Sequence, residues 1–453
     1  MRSLHIFHHS NLNNGVDRTC FTLVSAMRDL GHEVHVIVPG EGALTNALAS
    51  KGFSWKVMPL GCCTGSAWKA QLRFLSNAGV RAKQLEDLLR KENFDVVHLN
   101  TGHLFDAALA AARVGVPAIW HIHSPFEIDY ERYKRFVGTE GYAWILEALG
   151  SQIIAVSEDI RTSLTRYLPH ERIHTVYNGI DLEDLTQRAE ENRGDIRREL
   201  GLEENSRIVL GVGRISDQKD FATFARVAER VVSQDGNVYF AIAGPAQDRR
   251  LAEALESRVQ TPTLKGRVFL LGPRSDIPRL MDQSDAFLST AIYEGHPLTT
   301  IEAMALQLPV VAMACVGLRE CIQDGVDGLL VPLGDVEAAA AAVLQVLGNA
   351  DLAEKLGRAA RQIVSERFSC RSYALEFLKV AQKAIKYGPS RVAHGSIDLV
   401  QGLLGQLGRA THLIGELEAE RGICARTRRL AQRTLRPIRH FVESLKHTIF
   451  HVG

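Results

Sequence analysis

The 453-residue chain contains no apolar run of the ~18 residues that a membrane-spanning helix needs. Its start, MRSLHIFHHS, also lacks the apolar core and small-residue cleavage site of a secretory leader, so a cytoplasmic location is expected. The seven cysteines, with Cys62 and Cys63 adjacent, follow no metal-ligand spacing and fit a reducing compartment as small buried hydrophobes. An excess of one charge is missing too. A net charge of +1, with 46% hydrophobic and 23% charged residues, gives no global nucleic-acid signal. Several chemical motifs are absent. Without a G-x-S-x-G elbow or a G-x-x-x-x-G-K-[ST] loop, a hydrolase or a P-loop enzyme is disfavoured. GVGRIS has only part of G-x-G-x-x-G, which leaves a dinucleotide oxidoreductase poorly supported. No D-x-D triplet stands ready to hold a metal on a diphosphate, so any diphosphate must be met by cations and backbone N–H groups.

What is present is a regular alternation of short apolar strands with helical patterns, the mark of parallel α/β sheets. LHIFH, EVHVIV, DVVHL, AIWHIH, IIAVS and IHTVY form a first series, and RIVLGVG, VYFAIAG, RVFLLG, AFLST, PVVAM and GLLVP a second. The polar stretch NGIDLEDLTQRAEENRGD lies between them as a linker. Length alone allows two or three domains of ~150 residues. The expectation is a doubly wound domain over 1–180, a second over 181–387 closed by helices, and a separate tail over 388–453. Ligands of such sheets bind beyond the carboxyl ends of the strands, so a cleft between the domains is the place to look. The tail carries ten Lys/Arg against five Asp/Glu, a net of +5. Within it Leu435, Ile438, Val442, Leu445 and Ile449 recur at three- and four-residue intervals among basic residues. A basic amphipathic helix of this kind either lies on an anionic membrane surface or packs on the protein itself.

One stretch raises a sharper question. In YEGHPLTTIEAMALQLPVVA, Glu294 and Glu302 stand eight residues apart, about 80° out of line on a continuous helix. Gly295 and Pro297 break the interval, which puts Glu294 on a loop and Glu302 about one turn into the helix that Pro297 opens. Both carboxylates can then look toward the helix N-terminus, although chance surface glutamates would read the same way. In GVGRISDQKDF, Arg214 follows Gly213 at the end of a strand and Lys219 stands where the next helix begins. A guanidinium and an ammonium at a helix start form an anion site without metal. Either cation alone also fits a solvated surface residue.

Together RIVLGVGRISDQKDFATFARVAERV, VYFAIAG, YEGHPLTTIEAMALQLPVVA and DGVDGLLVPLGD resemble the retaining glycosyltransferases of family 4, which have the GT-B fold of two Rossmann-like domains facing a cleft. NGVDRTCFTLVSAMRDLGHEVHVIV, FDVVHLNTGHLFDAALAAARVGVPAIWHIHSP, IIAVSEDIRTSL and IHTVYNGID extend the resemblance over roughly 1–387. It implies an acceptor-side first domain, a second domain that binds a sugar nucleotide, with a UDP-sugar favoured and a GDP-sugar the alternative, and a helical C-terminal extension. Glu302 would hold the ribose hydroxyls, and Glu294 the hydroxyls of the transferred sugar. Gly295, His296, Pro297, Leu298 and Thr299 would seat the sugar and diphosphate, largely through backbone amides. Arg214 and Lys219 would neutralise the departing diphosphate, Gly15, in the loop after the first strand, would let backbone approach it, and Arg274 and Gly213 join the donor-binding set. His123 matches the family's histidine near the donor sugar. His121 lies on the same strand face, and His8, His9 and His98 read as structural or acceptor-side.

The implied reaction is metal-independent hexosyl transfer to a glycan, lipid-linked or other acceptor in polysaccharide or glycoconjugate synthesis. It would use no cofactor and no nucleic acid, with possible peripheral membrane contact through the tail. A sugar-nucleotide epimerase, a phosphorylase or a catalytically silent sugar-nucleotide-binding protein are the alternatives.

Overall fold

Short apolar strands separated by helices pair in parallel through crossovers. Two parallel sheets result in the computed structural model, which describes residues 1–60, 77–126, 131–191 and 194–389, together with 402. The first sheet comprises β1 (Arg2–Ile6), β2 (Glu33–Val38), β3 (Ser54–Val57), β4 (Val96–Leu99), β5 (Ala118–Ile122), β6 (Gln152–Ala155) and β7 (Ile173–Thr175), in the order β3-β2-β1-β4-β5-β6-β7. The second comprises β8 (Arg207–Val212), β9 (Val238–Ala243), β10 (Val268–Gly272), β11 (Ala286–Ser289), β12 (Val310–Met313) and β13 (Leu329–Val331), in the order β10-β9-β8-β11-β12-β13. Each order reverses once, between β1 and β4 and between β8 and β11. Loops part at those reversals and leave a crevice at the strand ends.

Every strand read from the sequence forms, and β3 joins them without a sequence signal. It is an edge strand with exposed Ser54, Lys56 and Val57, so it carries no apolar run to betray it. Central strands are covered on both faces, as parallel strands must be. Ile208 and Leu210 of β8 join a core with Phe287, Ile301 and Met304, whereas Val209 between them joins Phe224, Phe240 and Leu288 on the other face. Gly211 is needed for this packing. A Cβ there would lie 2.6 Å from Cε2 of Phe224, whose helix, Phe221–Val232, lies against β8.

The domain limits expected from the sequence need correction. One unit comprises Met1–Val156, Ile160–Val176 and the chain from Ala374, and the other Ser157–Asp159 with Tyr177–Tyr373. The last helix, Cys370–Tyr387, therefore leaves the second unit midway instead of closing it. Phe377 packs its ring against His98 at 4.9 Å and His5 at 5.6 Å, and Ser151 Oγ donates to the carbonyl of Gly388 at 2.7 Å. Ser157–Asp159 goes the other way because the Glu320 carboxylate accepts the backbone N–H groups of Glu158 (2.7 Å) and Asp159 (2.6 Å). An apolar helical stripe announces that it will be buried, but not against which core. No single helix among the described residues is long and apolar enough to cross a membrane. Apart from Gly388, Pro389 and Gly402, the tail and its amphipathic pattern lie outside the described residues, as do Cys62 and Cys63.

Candidate active site

In the second unit, the chain leaving β8 and the chain leaving β11 meet at the reversal of strand order. Lys219 reaches across that gap. Its Nζ donates to Glu294 Oε1 at 2.5 Å, with the two side chains 17% and 9% exposed. The path of the lysine stem explains Gly213, where a Cβ would lie 2.9–3.1 Å from Cε, Cδ and Cγ of Lys219. Gln218 holds the opposite side of the glutamate, its Nε2 donating to Glu294 Oε2 (3.3 Å) and to the carbonyl of Tyr293 (3.1 Å). Thr290 Oγ1 donates to the carbonyls of Lys219 (3.1 Å) and Asp220 (3.0 Å), which pins the lysine loop to the chain leaving β11. Asp220 then caps the helix Phe221–Val232 from the left-handed region (φ 44°), accepting from Thr223 N and Thr223 Oγ1. Neither Gln218 nor Thr290 stands out in the sequence, because an isolated amide and hydroxyl carry no spacing signal.

Arg214 is exposed, and its guanidinium makes no hydrogen bond or ion pair with any described residue. A neighbouring cation with no carboxylate of its own is available to an incoming anion. Pro297 occupies the N-cap of the helix Leu298–Ala305, which no side chain caps. Its first amides, those of Leu298 and Thr299, are thus the open N–H groups of a helix start. Glu302 lies one turn in and is 3% exposed. The loop before the helix is fixed by its backbone: Glu294 N donates to the carbonyl of Val316 (2.9 Å), and a Cβ on Gly317 would lie 2.5 Å from the carbonyl oxygen of Glu294. The His296 ring lies in an aromatic layer, 5.3 Å from Tyr177 and 5.0 Å from Phe368.

Two expected donor-site residues are placed differently. Arg274 is held by Asp276 (2.8 Å) and by Glu199, and none of its hydrogen bonds reaches Arg214, Lys219 or Glu294. Hydrogen bonds from Arg274 first, and from Arg279 after it, hold the Asp276 carboxyl well below the usual carboxylate range, as suits a closed ion-pair cluster. Gly15 is not a loop residue. It is the first residue of the helix Gly15–Asp29, because Asn14 Oδ1 accepts Asp17 N at 2.8 Å and caps that helix.

In the first unit, His123 directly follows β5 and stacks on His121 at 4.3 Å. Burial pushes its imidazole down to about 3, against a hydrogen bond with the Asn100 backbone that acts the other way. Behind it, His5, His98 and His121 form a buried relay, with Nδ1 of His5 2.9 Å from Nδ1 of His98, and Nε2 of His98 3.0 Å from Nδ1 of His121. The candidate ligand atoms of His5, Cys20 and His98 lie within 4.8 Å of one another. The two histidines are spent on each other, on Ser3 and on His121, and burial raises the Cys20 thiol well above its ordinary range, as suits a closed core network.

The family profile for glycosyltransferase family 4 matches residues 13–184, and that for glycosyl transferases group 1 matches residues 192–363. The alpha-maltose-1-phosphate synthase of Mycolicibacterium smegmatis is 30% identical over 309 residues, 64% of this chain and 79% of its own length. The chain belongs to glycosyltransferase family 4. Another relative in the family is the UDP-Gal:alpha-D-GlcNAc-diphosphoundecaprenol alpha-1,3-galactosyltransferase of Escherichia coli, 29% identical over 346 residues, 74% of this chain and 85% of its own length. Among solved structures, HepE of Anabaena in complex with UDP and glucose superposes with a TM-score of 0.70 at 20% identity, over 84% of this chain and 99% of that one. Sucrose-phosphate synthase of Thermosynechococcus elongatus gives 0.68 at 19%, over 85% and 100%. The shared architecture is GT-B, and this family 4 member is a glycosyltransferase.

Proposed function

We propose that the chain transfers a hexose from a UDP-sugar, with retention and without metal, to a hydroxyl of a glycan carried on a lipid diphosphate. The observation that carries this reading is the Lys219–Glu294 pair beside the unpaired Arg214 and the uncapped start of Leu298–Ala305. Two cations and a row of open amides suit a diphosphate, while Glu294 and Glu302 offer acceptor oxygens to hydroxyls. The relatives whose names specify UDP-galactose, UDP or glucose support the choice of base, and the E. coli relative supports a lipid-linked acceptor. In the step itself the anomeric C–O bond breaks with its electron pair passing to the diphosphate, and the acceptor oxygen bonds the same face of the carbon. The acceptor proton passes to the departing phosphate oxygen. Lys219 and Arg214 meet the charge that develops there, which lowers the barrier. Glu294 and Glu302 are eight residues apart on separate elements and serve hydroxyls, unlike the carboxylate pair of a glycoside hydrolase. The basic amphipathic sequence of 421–453 suits either peripheral contact with an anionic membrane surface or packing on the protein itself.

UDP-galactose, UDP-glucose, UDP-N-acetylglucosamine and GDP-mannose, each supplied with an N-acetylglucosaminyl diphospholipid in excess EDTA, test this. The expected result is nucleotide release only when acceptor is present, from a UDP-sugar, with an α-anomeric product and an unchanged rate in EDTA. Release without acceptor, an inverted product, or a rate abolished by EDTA and restored by manganese would contradict it.

A further inference from the structure

The first sheet reverses its strand order between β1 and β4, and the residues leaving those strands carry buried polar atoms that bond nothing among the described residues. Asn100 directly follows β4 and is 0% exposed. Its Nδ2 donates to the carbonyl of Val16 at 3.2 Å, which fixes the amide and leaves Oδ1 unpaired. His8, two residues beyond β1, stacks on His9 at 4.0 Å and meets His103 edge-on at 5.5 Å, and its Nε2 is buried and unpaired. One strand further on, His123 keeps a ring nitrogen on the Asn100 backbone and leaves Nε2 unpaired. Buried polar groups are nearly always satisfied, so three orphans at one sheet edge mark a place where a ligand completes the bonding.

The chemistry of the three atoms selects the ligand. Asn100 Oδ1 can only accept, and a His8 or His123 nitrogen accepts or donates according to tautomer. Burial pushes both imidazoles down to about 3, so neither carries charge at neutral pH. A carbonyl oxygen and neutral imidazole nitrogens suit hydroxyls, which both donate and accept, better than phosphate, which needs donors. We infer that His8 Nε2 and Asn100 Oδ1 hold ring hydroxyls of the accepting sugar, beside His123. This rests on the transfer reading above and adds the part of the acceptor that the protein grips: its sugar rather than its diphosphate.

The test uses the full chain saturated with UDP and reads saturation-transfer NMR from the methyl glycosides of glucose, galactose and N-acetylglucosamine. UDP and UDP-glucose affinities are measured in parallel by calorimetry. At least one glycoside is expected to bind the wild type. His8→Phe keeps the stack on His9 and removes Nε2, so it is expected to weaken that glycoside about three- to tenfold, the range of one hydrogen bond. Asn100→Ala should do the same. If Asn100→Ala fails to fold for want of its tether to Val16, His8→Phe alone decides. No glycoside binding to the wild type, unchanged binding by His8→Phe, or a loss of UDP-glucose affinity with UDP affinity intact would each overturn the inference, the last by assigning His8 to the donor sugar. A wild type that does not bind UDP would instead strike the donor-site reading, so the two failures are distinguishable.

Discussion

Lys219→Ala is expected to reduce kcat for transfer by about 10²–10³, the usual cost of removing one preorganised group that stabilises developing charge. The loss falls on kcat because the ammonium matters most when the diphosphate departs. The variant has a second effect. Lys219 is the counter-charge of a carboxylate that is only 9% exposed, so its removal leaves Glu294 buried with Gln218 alone. Breaking a buried pair from one side is destabilising, and the melting temperature should fall while the circular dichroism remains that of a folded α/β protein. Adding Glu294→Gln to Lys219→Ala should restore much of the stability and none of the rate. A recovered melting temperature identifies the buried, unpaired carboxylate as the cause of the stability loss, whereas the rate stays low in any case because Glu294→Gln itself depresses transfer. Arg214→Ala should lose transfer with little change in melting temperature, because the exposed guanidinium supports no other described group. Near wild-type turnover in either single variant would refute the diphosphate assignment.

The second large effect divides the two glutamates. Glu302→Ala is expected to weaken UDP binding about 10- to 100-fold, because a carboxylate that accepts from hydroxyls contributes about 1.5–3 kcal/mol per bond. Glu294→Gln should leave UDP affinity near the wild type and depress transfer, since it keeps the shape of the side chain while weakening its grip on the sugar. Calorimetry with UDP and turnover with the UDP-sugar read the two quantities separately. Equal losses of UDP affinity in both variants would refute the division. The different settings of the two residues motivate it: Glu294 stands on a loop in contact with Lys219 and Gln218, whereas Glu302 is one turn inside a helix.

Much of this site is legible in the sequence because its parts are punctuated. Gly295 and Pro297 announce a loop followed by a helix, and the helix does begin at Leu298. The spacing puts Lys219 at a helix start, and the helix does begin two residues later with Asp220 as its cap. The ion pair between Lys219 and Glu294 is not legible, since it joins residues 75 apart through the adjacency of β8 and β11. The partners of Arg274 are hidden for a related reason: Asp276 and Glu199 close around it, and Glu199 lies 75 residues away in the chain. The helix start at Gly15 is likewise not legible, because it depends on Asn14 and Asp17 bonding reciprocally. In the first sheet the histidines are visible in the sequence, but not their pairing: His5 and His98 come together only because β1 and β4 are neighbours in register.

The central claim is that Arg214, Lys219 and Glu302 hold a nucleoside diphosphate at the β8–β11 reversal without a metal. A crystal structure of the full chain grown with UDP in excess EDTA tests it most directly. The account predicts diphosphate oxygens within hydrogen-bond distance of Lys219 Nζ and the Arg214 guanidinium, ribose hydroxyls on Glu302, and the amides of Leu298 and Thr299 turned to the phosphates. UDP seated elsewhere, or bound at this place only when a divalent ion bridges its phosphates, would contradict it.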